Sequence, residues 1–96
     1  MKSWKALKSF FRYLVKKLRI IMRGIANAAV IVGEKIREGV AQLKHKLFYK
    51  EDGKWIQETT GVEITEEEVP PYIRAKIIRQ KADITREMEL ELGLSI

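Results

Sequence analysis

Ninety-six residues with 19 Lys and Arg, 13 Asp and Glu, no Cys and 46% hydrophobic content describe one small domain, and they argue against a multidomain enzyme, a disulfide scaffold and a disordered chain. Residues 1–50 hold 13 basic against 2 acidic side chains and residues 51–96 hold 6 against 11, so +11 in one half and −5 in the other give the net charge of +6. No acid precedes Glu34, and a segment of that kind is drawn to phosphates, anionic lipid headgroups or an acidic protein face, the second half of the chain included.

The start, Met1-Lys2-Ser3-Trp4-Lys5, leads into lysines spread through an apolar stretch, unlike the uninterrupted apolar region of a secretory signal, so a cytoplasmic or membrane-peripheral location is expected. Trp4, Leu7, Phe11, Leu14, Leu18, Met22 and Ile25 follow one another at steps of three or four, and the stepping continues through Ala29, Val32, Ile36, Val40, Leu43 and Leu47. The mean step is about 3.6, the period of a straight α-helix. Lys5, Arg12, Lys16, Arg19 and Arg23 fall opposite this stripe, with Lys8 beside them, while Phe10, Val15 and Ile21 widen the apolar side beyond a coiled-coil seam. The spacing predicts a basic amphipathic helical segment over 1–46, either one long helix or a helical hairpin. One unbroken helix to Leu47 would measure about 70 Å, too long for a compact domain of this size, so a break is expected, with Gly33 preferred over Gly24 and Gly39.

Over 47–65 the sequence predicts a β-hairpin or small meander. Asp52-Gly53 stands between Leu47-Phe48-Tyr49-Lys50-Glu51 and Lys54-Trp55-Ile56-Gln57, and a two-residue loop there pairs Glu51 with Lys54 and Tyr49 with Ile56. Thr59-Thr60-Gly61 then punctuates the chain before a short third strand, Val62-Glu63-Ile64. Trp55 with Phe48 or Tyr49 reads as the core of a small sheet before it reads as a base-stacking platform. The remainder, 66–96, is an acidic segment with one or two short helices. Pro71 takes a first helical position with Ile73, Ile77 and Ile78 inward, and Asp83 or Thr85 caps a last helix that Gly93 stops, although Met88, Leu90, Leu92, Leu94 and Ile96 also alternate as a strand would. The fold class expected is therefore mostly α with a small antiparallel β-hairpin, in one domain spanning 1–96.

Catalytic chemistry is poorly supplied: one His, no Cys, two Asp and no glycine-rich phosphate loop, which points to a non-enzymatic protein with no catalytic residues, no metal site and no cofactor. His45, between Lys44 and Lys46 on the polar side of the helical pattern, reads as solvated, and Glu66, Glu67 and Glu68 read as a helix start before they read as cation ligands. The leading functional expectation is adsorption to an anionic membrane surface, with Trp4, Leu7, Phe11, Leu14, Leu18, Met22 and Ile25 as the apolar face and Lys5, Lys8, Arg12, Lys16, Arg19 and Arg23 contacting anions. The alternative is a homo-oligomer, or a complex with another chain, that buries the stripe between subunits. Sequence-nonspecific nucleic-acid binding ranks third, because nothing in the chain matches a base-reading motif.

Overall fold

The computed structural model describes residues 2–21 and 28–93, and the side chains of 2–16 and 29–93. Its elements are α1 (Trp4–Ile21), β1 (Ala28–Arg37), β2 (Val40–Glu51), β3 (Lys54–Thr65), a 3₁₀ turn (Glu66–Glu68), α2 (Pro71–Arg79), β4 (Ala82–Asp83) and α3 (Thr85–Leu92). All four strands form one antiparallel sheet in the order β3-β2-β1-β4. The protein is α+β, which corrects the expectation of a mostly helical chain with a small hairpin.

The correction lies in 28–46, where the helical stepping predicts helix and the chain forms two long strands. Apolar residues at steps of three and four occur there because β1 is apolar on both faces: Ile31 and Gly33 are buried on one, Val30 and Val32 are half-buried on the other. A strand of this kind shows no clean alternation, although its β-branched Val30, Ile31 and Val32 favour a pleated backbone over a helical one. The break falls at Gly39 rather than Gly33. Gly39 has φ +75° in the tight connection between β1 and β2, a conformation that a side chain disfavours. Gly33 serves a different purpose in mid-strand, since a Cβ there would lie 2.7 Å from Ile77 Cγ2 of α2 and 3.1 Å from Ile84 Cδ1.

The second hairpin follows its turn chemistry. Asp52 and Gly53 both have positive φ, 49° and 78°, as a type I′ turn requires, and the register pairs Glu51 with Lys54 and Tyr49 with Ile56. Thr59-Thr60-Gly61 does not interrupt it, so the expected short third strand is the far end of a twelve-residue β3. Beyond it, Pro71 opens α2 and Ile73 and Ile77 point inward, while Ile78 is exposed. The chain after Asp83 is helical: the Asp83 carboxylate accepts from the Thr85 N–H at 2.9 Å and from the Thr85 hydroxyl at 2.6 Å, and Gly93 closes the last turn. Those two donors hold the Asp83 carboxyl below its ordinary range.

Three helices cover one face of the sheet. Leu7 and Phe11 of α1, Ile73 and Ile77 of α2, and Met88 and Leu92 of α3 meet Ile31, Ala41, Leu43, Val62 and Ile64 in one continuous core, joined by Val69 and Ile84 from the connections. The opposite face carries Val30, Val32, Gln42, Lys44, Lys46, Phe48, Trp55, Gln57 and Thr59, and no described helix packs on it.

Candidate anion-binding surface

The surface is built on α1, and its geometry starts at the helix N-terminus. Ser3 caps the helix, its hydroxyl accepting from the Ala6 N–H at 3.2 Å and its carbonyl from the Leu7 N–H at 2.9 Å. The Trp4 N–H donates to Glu68 Oε2 at 2.6 Å, which places a carboxylate on the positive end of the helix dipole and ties α1 to the turn before α2. Two turns later the Arg12 Nε–H donates to the Leu92 carbonyl at 3.2 Å, where α3 ends and leaves acceptors unfilled. These two polar links flank the apolar contact made by Leu7 and Phe11, both 0% exposed, with Trp4, Phe10, Leu14 and Val15 packed around them.

That docking fixes the predicted site residues. Leu7 and Phe11 lie inside the chain's own core, and Trp4 and Leu14 are half-buried at its margin. An interface made of this stripe, with lipid or with a second chain, requires α1 to leave the sheet. Lys5 and Lys16 are exposed on the opposite side of the helix, Lys8 and Arg12 are half-buried along its flank, and Tyr13 is 59% exposed between them and the far edge. Leu18 and Arg19 lie in the last turn of α1 with side chains outside the described set, and Met22, Arg23 and Ile25 lie outside the described residues.

The helix α1 carries basic residues and no acidic one. Lys35 pairs with Glu38 and Glu66, Arg37 with Glu63, Lys44 with Glu34, and Lys76 with Glu87; among the described residues no ion pair includes a cation of α1. The hydrogen bond from Lys44 holds the Glu34 carboxyl below its ordinary range, and that from Lys76 does the same for Glu87. Lys2 lies over the Phe10 ring with its Nζ 5.4 Å from the centroid. Lys5 and Lys16 on the outer side of the docked helix and Lys8 on its flank thus form a row without ion-pair partners among the described residues, while Arg12 is engaged with the end of α3.

Sequence reasoning missed two features of the site's surroundings. His45 is buried, not solvated: on a strand it shares a face with Leu43, its ring centroid is 6.4 Å from that of Phe11, and its Nε2 has no hydrogen-bond partner among the described residues. Burial holds its pKa below the ordinary histidine value, so α1 rests on a neutral imidazole at neutral pH. The second is the open sheet face, where Lys46, Phe48 and Lys50 of β2 lie beside Thr59, Gln57 and Trp55 of β3. The signal for both was the alternation of Ala41, Leu43, His45 and Leu47 with Gln42, Lys44, Lys46 and Phe48, a period of two that the helical stepping obscures.

Among the described residues no group of three or more His, Asp or Glu is arranged to hold a metal ion, and no helix is long and apolar enough to cross a membrane. No family model, no curated protein and no solved structure matches the chain.

Proposed function

We propose that the protein is a non-enzymatic adsorber of anionic membrane surfaces, acting through the outward cationic row of α1 while the apolar side of that helix stays in the core. The observation that carries this reading is the one-signed charge of α1: the helix contains no acidic residue, and its Lys5, Lys8 and Lys16 have no ion-pair partner among the described residues. Unpaired cations on a docked helix raise the local concentration of anions without a cost in side-chain partners. Each contributes about 1 kcal/mol at an anionic lipid surface, so the three lysines supply about 3 kcal/mol, a partition gain of about 10²-fold that salt weakens. Exposed Tyr13 and the half-buried rings of Trp4 and Phe10 along the same helix suit the headgroup layer, where aromatic side chains are enriched.

Sedimentation with vesicles tests the proposal. Binding to phosphatidylserine-containing vesicles at low salt, with loss at high salt and no binding to purely zwitterionic vesicles, is expected; equal binding to both vesicle types, or none to either, contradicts it.

A second reading rests on a different surface. Lys46 and Lys50 flank Phe48 on the open sheet, with Trp55 opposite Lys50, an arrangement suited to single-stranded nucleic acid, which combines backbone neutralisation with base stacking. Retention of the wild type on a single-stranded oligonucleotide column, lost in a Lys46→Gln, Lys50→Gln variant, is the expected result of that reading, and absence of retention at low salt removes it.

A further inference from the structure

The two edges of the sheet are unlike. One is β4, a two-residue strand, short enough to present almost no unpaired backbone. The other is β3, twelve residues long and hydrogen-bonded among the described residues on its β2 side alone. Long edges in natural proteins are blunted by proline, by charged side chains, by a bulge that turns the strand away, or by a covering element. Of these β3 has only charge, in Lys54, Glu58 and Glu63: it contains no proline, its register with β2 runs unbroken from Lys54 to Thr65, and among the described residues no element covers its outer edge, where Gln57, Glu58, Thr59 and Gly61 are exposed.

We infer that β3 pairs with β3 of a second copy, antiparallel and about a two-fold axis at Thr59, to give a continuous eight-stranded sheet. Pairing by symmetry requires residues on the same face to meet, so the axis must pass through a residue and not between two. An axis at Glu58 sets that carboxylate against its own copy. An axis at Thr59 sets Thr59 against Thr59 and Gln57 against Gly61 on the open face and, on the helix-covered face, Glu58 against Thr60 and Ile56 against Val62, with no like charges directly opposite and with residues 54–64 all in the ladder. Trp55, 66% exposed in the single chain, then faces Glu63 of the second copy and lies diagonal to Gly61, over which the side chains of Gln42 and Lys44 lie. A second copy is the occupant this edge fits, because the strand complements itself and a chain of 96 residues gains from further burial.

The two-fold axis is normal to the sheet, so both helical layers lie on one side and the cationic rows of both α1 helices face the same way. The pairing stands independently of lipid; only this consequence rests on the adsorption reading above. Two α1 rows on one rigid body bind a surface together, and the second contact is made at high effective concentration, worth about 10²–10⁴-fold in affinity.

The test uses the full chain without vesicles first. Light scattering of the wild type is expected to give the mass of two chains, and Thr59→Lys, which places two ammonium groups on the axis at an exposed position, is expected to give one chain with an unchanged circular dichroism spectrum. Thr59→Cys, the sole cysteine in such a chain, is expected to oxidise to a disulfide-linked dimer more readily than Glu58→Cys. A wild type of single-chain mass over the whole concentration range, or a dimer that Thr59→Lys leaves intact, overturns the proposal. Vesicle binding is then compared: a partition about 10²-fold or more weaker for Thr59→Lys supports the bivalent surface, whereas equal partition of dimer and monomer overturns that consequence and leaves the pairing itself standing.

Discussion

Replacing Gly33 by alanine measures how closely α2 is seated on the sheet. The added Cβ falls 2.7 Å from Ile77 Cγ2 and 3.1 Å from Ile84 Cδ1, against about 3.5–4.0 Å for carbon atoms at their optimal separation. Ile84 Cδ1 is the end of a flexible chain and can turn away. Ile77 Cγ2 is a branch on a β-carbon fixed in α2, and both Ile77 and Ile84 are buried, so relief requires the helix itself to move. Overpacking of this kind costs about 1–3 kcal/mol, and the loss of a flexible glycine from the strand returns about 0.5–1 kcal/mol, leaving Gly33→Ala destabilised by about 1–2 kcal/mol. Ile77→Ala alone costs about 2–5 kcal/mol for its lost methyl groups and the cavity left behind. In that background Gly33→Ala meets open space, and it should be neutral or stabilising, a coupling of about 1–3 kcal/mol. Urea unfolding of the four chains, followed by circular dichroism, gives the cycle. Strict additivity, with Gly33→Ala as stable as wild type, refutes the placement of Ile77 over Gly33.

Other positions give independent tests. Phe11→Ala removes a ring that is 0% exposed and should cost about 3–5 kcal/mol in the same urea assay, where a loss below 1 kcal/mol means that α1 is not docked through this residue. His45 has a folded pKa below its ordinary 6.5, so the unfolded chain binds the proton more readily; the stability contributed by neutral His45 is complete above pH 6.5 and declines as the pH falls through 6.5 toward the folded value. His45→Leu should flatten urea midpoints in that window, while the losses from Glu34, Asp83 and Glu87, whose carboxyls titrate below 4.5, remain; identical profiles for the two proteins contradict the buried imidazole. Gly39→Ala, at φ +75° with nothing within 4 Å of the added carbon, should cost about 1–2 kcal/mol through backbone strain alone, and an unchanged midpoint argues against that turn.

The parts of the fold that the sequence discloses are those governed by local chemistry. Asp52-Gly53 requires positive φ at both positions and therefore sets its own register. Pro71 has no N–H to satisfy at a helix start, and Leu7 and Phe11 lie within one helical segment whose polar and apolar sides are well separated. The parts that remain hidden depend on what packs on both sides of a strand. β1 is covered by helices on one face and keeps Val30 and Val32 half-buried on the other, so its apolar residues fill helical and strand templates alike. Once 28–46 is taken as helix, His45 rotates onto a polar side; as strand, it aligns with Leu43 under Phe11. The stripe on α1 is visible in the sequence, but its use is not, because periodicity shows that a helix has an apolar side and not whether the chain's own sheet or an external surface covers it. The cationic row is legible by residue, and its lack of partners is a property of the folded chain alone.

In the proposed adsorption, the outward lysines of α1, with the helix still docked, carry the attraction to anionic lipid. Partition of a Lys5→Gln, Lys8→Gln, Lys16→Gln variant onto phosphatidylserine-containing vesicles, measured beside the wild type at one low salt concentration, tests it most directly. The account predicts binding about 10²-fold weaker, from three contributions of about 1 kcal/mol each, with the urea midpoint unchanged because none of the three makes an ion pair among the described residues. Wild-type partition in the variant contradicts the claim and moves the search to the open sheet face.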